Sequence, residues 1–242
     1  MKFRVQFWPT TLSLAGILVM IGLGAWQVQR LNWKQDLIET IAARTAMAPR
    51  QIPAARDWPV LDVAALRYLP VTASGRFLHR YERYVFTSLK VSRGRHGGPG
   101  YWVVTPLELA DGTGYVLVNR GFVPDRMHDP ATRAAGQVAG VVAVRGLVRQ
   151  SQRPSPFTPD DNRRANIWYT MNVAALAADI GLSPVAPFVI DATASGAPGT
   201  LPQARDSRVQ ITNNHLSYAI TWFALALCLA AVYIVFSTRK DD

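Results

Sequence analysis

The stretch GYWVVTPLELADGTGYVLVNRGFVP, residues 100–124, decides the fold. Two runs rich in β-branched and aromatic residues, 101–109 and 115–123, flank Asp111-Gly112-Thr113-Gly114. Such runs on either side of a Gly-containing turn predict an antiparallel hairpin. Toward the N-terminus, Pro70–Phe77 places Val71, Ala73, Gly75 and Phe77 at alternate positions, and residues 83–91 alternate Tyr84 and Phe86 with polar neighbours. Both have the period of a half-buried strand. Toward the C-terminus, 138–148 and 187–191 are further strand regions, with Gly140 and Gly146 as candidate bends. Helix signals are fewer. Asp62 is placed to cap a short helix over 63–68, and Asn172 opens a helix over Val173–Ile180 that Gly181 ends. Trp168 and Tyr169 are expected to pack on that helix. Residues 48–59, with Pro49, Pro53 and Pro59, read as a linker, and 153–164 as a polar loop. About six strands and one or two helices predict an antiparallel β-rich domain of the α+β kind, barrel- or sandwich-like.

Outside this domain the composition changes. No charged residue occurs from 5 to 29 or from 209 to 237. The apolar body 7–28 would span roughly 33 Å as a helix, enough for a hydrocarbon core of about 30 Å. The second apolar body, 216–236, is of similar length. Phe7, Trp8 and Trp26 lie near the ends of the first, and Tyr218, Trp222, Tyr233 and Phe236 near those of the second, as interfacial aromatic belts do. A cleaved signal peptide competes for the first stretch, but its apolar region would be shorter and would end in small residues rather than Trp26-Gln27-Val28. The helix is expected to run on through Arg30 to Ile38 as an amphipathic segment.

The fold class expected is therefore a membrane protein with two transmembrane α-helices flanking the β-rich extramembrane domain. Residues 1–6 and 237–242 are expected in the cytoplasm, 7–28 and 213–236 in the membrane, and 29–210 in the periplasm. Lys2, Arg4, Arg239 and Lys240 flank the outer ends, while Arg30, Lys34, Arg205 and Arg208 flank the inner ones, so charge alone sets the side weakly. The residues before the first span lack the Arg/Ser-rich amphipathic pattern of a mitochondrial import signal, so mitochondrial import is not expected, and an arginine- and alanine-rich composition suits a GC-rich bacterium.

Of 242 residues, 17% are charged, against about 25% in soluble domains. The net charge of +10 favours anionic lipid or an acidic partner. Nucleic acid is not expected, because no recognition motif is present. The single cysteine, Cys228, excludes an internal disulfide, a Cys-x-x-Cys copper or zinc site and dithiol redox chemistry. His79, His96, His128 and His215 show no metal-pair spacing, and His79 and His128 read as surface residues without partners. There is no P-loop, no dinucleotide fingerprint and no nucleophile elbow. The chain is not expected to be an enzyme.

Three stretches in order, LGAWQVQRLNWKQDLI (23–38), the 100–124 strand pair and NNHLSYAITWF (213–223), resemble the Surfeit locus protein 1 family over most of the chain. The resemblance implies an assembly factor for cytochrome c oxidase, acting near the insertion of haem a into oxidase subunit I. Subunit I and haem a synthase are the partners to consider, beside membrane lipid. It also implies that His215, at the start of the second span, is the axial ligand of haem iron.

The residues themselves leave alternatives open. His215, Ala219 and Trp222 share a helical stripe, which suits a macrocycle beside an imidazole ligand. An interfacial histidine hydrogen-bonded to the first span or to headgroups is the plainer reading. Trp26 and Arg30 share a face, so Arg30 is placed for a haem propionate or a partner carboxylate, or else is a snorkelling side chain beside an aromatic anchor. Gln27 lies between them. Asn119, Arg120 and Gly121 end a strand, as a partner contact or as a folding corner that ties down a loop carbonyl. Asn213 and Asn214 read as helix caps. Ala15, Gly16, Gly22 and Gly24, with Ala219, Ala226 and Ala230, would let the two helices approach closely. A cofactor-free scaffold that holds an oxidase assembly intermediate is the second functional class, and a membrane-anchored hydrolase lacks a visible nucleophile–base pair.

Overall fold

A computed structural model describes residues 6–89, 96–193, 200–204 and 213–238. The flanking residues Lys2, Arg4, Arg205, Arg208, Arg239 and Lys240, and positions 90–91 of the 83–91 strand region, lie outside them. In chain order the elements are α1 (Phe7–Thr45), β1 (Arg50–Gln51), α2 (Val63–Leu66), β2 (Pro70–Phe77), β3 (Arg83–Leu89), β4 (Gly98–Leu109), β5 (Tyr115–Pro124), β6 (Val141–Gln150), β7 (Ile167–Trp168), α3 (Val173–Ile180), β8 (Val185–Ala192) and α4 (His215–Thr238). They fall into two compact units. One holds α1 as far as Ile41 together with α4, and the other is Ala42–Val209.

The second unit is a closed barrel. Strands β2, β6, β8, β5 and β4 hydrogen-bond in that order, and β4 returns to β2, pairing Gly75 with Leu109 and Phe77 with Leu107. Closure leaves no open edge in the ring. β3 extends the sheet beyond β4, β7 lies beside β3, and β1 pairs with β2. The expected hairpin is present: Leu109 N–H donates to the Gly114 carbonyl, and the Asp111 carboxylate accepts from Thr113 N–H at 3.0 Å. That bond and a second from the Thr113 hydroxyl at 2.8 Å hold the exposed Asp111 carboxyl below its ordinary range.

Alternation sorts the side chains into two layers. Val116, Val118, Phe188 and Ile190 point into the barrel with Leu107, Val144 and Val148. Their strand neighbours Leu117 and Val189 point outward and are covered by α3 (Val173, Leu176, Ile180) and by Trp168. Burial on both faces explains why the strands read as continuous apolar runs. Asn172 caps α3 by accepting from Ala175 N–H at 3.2 Å, and Gly181 ends it with φ 67°, as its sequence predicts.

Three expectations change. The barrel is not antiparallel throughout, because β5 and β8 run parallel, with Leu117 beside Val189 and Asn119 beside Asp191. The chain between them contains β6 and α3, the long connection that a parallel pair requires. Residues 48–59 are not a free linker. Trp58 is 6% exposed, its indole N–H donates to the Pro53 carbonyl at 2.9 Å, and Arg50–Gln51 pairs with β2. An indole buries enough apolar surface to order the segment around it. The Asp62-capped helix stops at Leu66 rather than 68, because Arg67 turns extended.

The helix α1, which lies in the first unit as far as Ile41, runs unbroken for 39 residues, about 58 Å, well past a hydrocarbon core of about 30 Å. Both α1 and α4 are long and apolar enough to cross a membrane. Most of their large apolar side chains, from Phe7 and Leu12 to Leu227 and Phe236, are exposed. The two helices meet antiparallel. The Thr10 hydroxyl is 2.6 Å from that of Tyr233, and a Cβ on Gly24 would come within 2.7 Å of the Phe223 ring. One on Gly16 would approach Leu229 to 3.1 Å. Gly22 has nothing within 4 Å and takes no part in this approach.

Candidate functional site

His215 is the first residue of α4, and its backbone N–H donates to the Asn213 side-chain oxygen at 3.4 Å. Its half-buried ring meets Gln27 of α1, with Nδ1 at 2.6 Å from Gln27 Oε1. A carbonyl oxygen only accepts, so Nδ1 carries the proton, and Nε2 is the nitrogen that bears the lone pair whenever the ring is neutral. Nε2 has no hydrogen-bond partner among the described residues. Ala219 is buried one turn on, and Trp222 is half-buried two turns on. No group of three or more His, Cys, Asp or Glu that could hold a metal ion occurs among the described residues.

Arg30 lies on the polar continuation of α1. Its guanidinium carbon is 4.8 Å from the Trp33 ring centroid and 6.0 Å from that of Trp26. Both indoles and Arg30 itself are exposed. Arg30 has no ion pair among the described residues, so its charge faces outward between two aromatic planes. Trp33 is the member of this stack that the sequence reading did not single out as a site residue.

Asn119, Arg120 and Gly121 lie in the barrel unit. Val103 pairs with Gly121 and Val104 with Asn119, so Arg120 is the extra residue of a β-bulge. Bulges re-aim a side chain, and this one turns the guanidinium inward, to 3% exposure. There Arg120 meets Glu82 Oε1 at 3.0 Å, donates to the Gly136 carbonyl and stacks over Phe77. The Asn119 side chain donates to Asp191 at 2.8 Å and accepts from Gly121 N–H at 3.1 Å. Gly121 has φ 129°, and a Cβ on it would fall 2.1 Å from the Gln203 carbonyl oxygen, so only glycine fits.

Glu82, which the sequence reading passed over, is the hub of this corner. It is 3% exposed and accepts from Arg133 at 2.7 Å, Arg120 at 3.0 Å, Gln137 at 3.2 Å and the Tyr84 hydroxyl at 3.3 Å. Burial pushes its carboxyl up. The His79 ring and the Arg133 and Arg120 charges outweigh that and hold it down at about 2. Burial and the Glu82 charge push the Tyr84 hydroxyl up to about 12. Among the described residues, Nε and Nη1 of Arg133 are buried without a hydrogen-bond partner, a cost the cluster carries.

The two histidines read as partnerless are not so. His79 Nε2 is 2.9 Å from the Val138 carbonyl and its Nδ1 is 3.2 Å from Arg120. His128 stays exposed, but its ring stands edge-on to Tyr84 at 5.7 Å and its Nδ1 is 3.0 Å from the Asp125 carbonyl. The partners lie far along the chain or in the backbone, where sequence spacing gives no signal.

A family model described as the SURF1 family matches residues 14–227, from within the first apolar helix to within the last. The chain belongs to the SURF1 family. Among its relatives, the SURF1-like protein of Monosiga brevicollis is 37% identical over 229 residues, covering 92% of this chain and 85% of that one. Surfeit locus protein 1 of Rattus norvegicus is 36% identical over 224 residues (89% and 70%), and that of Homo sapiens 37% over 216 (85% and 69%). The SURF1 match takes in both halves of the site: Trp26, Gln27 and Arg30 on α1, and His215 and Trp222 on α4. The structure brings Gln27 to His215 and Arg30 to Trp26, and in the barrel unit it turns Arg120 to Glu82 while Asn119 reaches Asp191 and Gly121 lies against Gln203.

Proposed function

We propose that this SURF1-family chain is an assembly factor for cytochrome c oxidase. In this reading it carries haem a as cargo, held through His215, and assists its insertion into oxidase subunit I. The observation that carries the haem part is the half-buried His215 ring at the head of an apolar helix, with Nδ1 satisfied and Nε2 unpartnered among the described residues. The donor set fits: a neutral imidazole is a good axial ligand for haem iron, and the exposed Arg30 charge, without an ion pair among the described residues, suits a propionate. Trp222, on the same stripe of α4, offers an aromatic plane. When bound, the haem iron accepts the Nε2 lone pair. The chain's own residues hold the ring, place the cation and leave one side open for release.

The protein resides in the bacterial inner membrane with α1 and α4 as spans and the barrel unit in the periplasm, where subunit I and haem a synthase would meet it. The reading contains no catalytic step. It is tested in cells lacking their own copy of the gene. With His215→Ala restored at wild-type protein level, oxidase haem a content falls while the oxidase polypeptides are still made. Normal haem a content with His215→Ala would remove haem handling from the account. Full function after both spans are exchanged for unrelated ones would leave a cofactor-free scaffold.

A further inference from the structure

Resting on the haem reading of His215, we propose that Gln27 is a positioning residue whose carbonyl oxygen fixes the Nδ1–H tautomer of His215 and so presents Nε2 as the ligating lone pair. The supporting contact is the 2.6 Å approach between Gln27 Oε1 and His215 Nδ1, joining residues 188 apart in sequence. A neutral imidazole has one donor and one acceptor nitrogen, and the partner of one nitrogen decides which is which. Free histidine side chains favour the Nε2–H form, in which the outward nitrogen is protonated and cannot bind iron. The oxygen of Gln27 reverses that preference before any iron arrives. The same contact orients the ring, as outer partners of metal-bound histidines do. The helix contacts support the placement. Gly24, one turn from Gln27, leaves room for the Phe223 ring two turns along α4 from His215, so the close approach of the helices at this end sets the 2.6 Å distance.

Gln27 acts through the ring, so the test reads the ring first. The full-length protein is labelled with 15N-histidine, held in mild detergent and kept about two pH units above the ordinary histidine value of about 6.5. His215 is assigned by its disappearance in His215→Ala. The wild type is expected to show Nδ1 protonated and Nε2 bare. Gln27→Leu is expected to shift the ring toward the Nε2–H form. Gln27→Glu, whose carboxylate only accepts, keeps Nδ1 protonated. Haemin titration is the second readout. Affinity drops about 10–100-fold in Gln27→Leu and is recovered in Gln27→Glu, with unchanged melting of the helical unit in both. An Nε2–H wild type, with the Gln27 amide donating instead, would overturn the proposal. So would a Gln27→Leu variant with unaltered tautomer and haemin affinity. A wild type with the Nδ1–H tautomer that takes up no haemin would sink the haem reading while the Gln27 assignment stands.

Discussion

Glu82 in the barrel unit and His215 in the helical unit are both titratable side chains met by partners from distant parts of the chain. Glu82 is enclosed. Two guanidinium groups, an amide and a hydroxyl all converge on its carboxylate, and its exposure is 3%. His215 is met on one side alone: Gln27 takes Nδ1, and Nε2 has no hydrogen-bond partner among the described residues. A group whose whole bonding capacity is used inside the fold holds the fold. A group half satisfied by a fixed partner is prepared for something outside it. The comparison separates what the barrel needs to close from what the helix pair can offer a ligand.

The sharpest way to break the comparison is Glu82→Gln. It leaves Arg120 and Arg133 buried without their counter-charge, and breaking such a pair costs about 3–5 kcal/mol. Chemical denaturation of the barrel unit should show that loss. A variant of unchanged stability that failed in oxidase assembly would instead make the cluster a functional site.

Acid probes the same carboxylate. Its folded value near 2 lies below the ordinary 4.5, so its contribution is complete above about 4.5 and is lost as pH falls from 4.5 toward 2. Denaturation midpoints across that window should decline in the wild type and decline less in Glu82→Gln. Next in size is Gly121→Ala, which forces a side chain into φ 129° and against the Gln203 carbonyl. Backbone strain of this kind costs about 1–3 kcal/mol, and the clash adds to it. Barrel stability should fall and haemin uptake stay as it was. The smallest stability effect belongs to His215→Ala, which removes one hydrogen bond worth about 0.5–1.5 kcal/mol. Melting in detergent should barely move, although this variant has the largest expected effect on haem.

The strands and caps were legible because each is a local matter. Alternation in Pro70–Phe77, the Asp111–Gly114 turn and the Asn172 and Gly181 caps depend on neighbours in sequence. The parallel pairing of β8 with β5 was not legible, since it depends on where a long connection returns the chain. Nor was the hub role of Glu82, whose partners Arg120 and Arg133 lie 38 and 51 residues away. One signal was available: Glu82 and Tyr84 sit at alternate positions, an acid on the face of a buried aromatic. For the candidate site, His215 stood at the head of an uncharged stretch, but its haem reading came from the resemblance to the family and not from the pattern. Gln27 stood out only as part of the exit from the first span, because nothing in a sequence pairs residues 188 apart.

The most direct test of the central claim is a visible absorption spectrum. The full chain is purified in mild detergent from cells that also make haem a, wild type beside His215→Ala. The account predicts a haem band in the wild type that is lost or shifted in the variant at equal protein recovery. A colourless wild type, or a band identical in both, would contradict it.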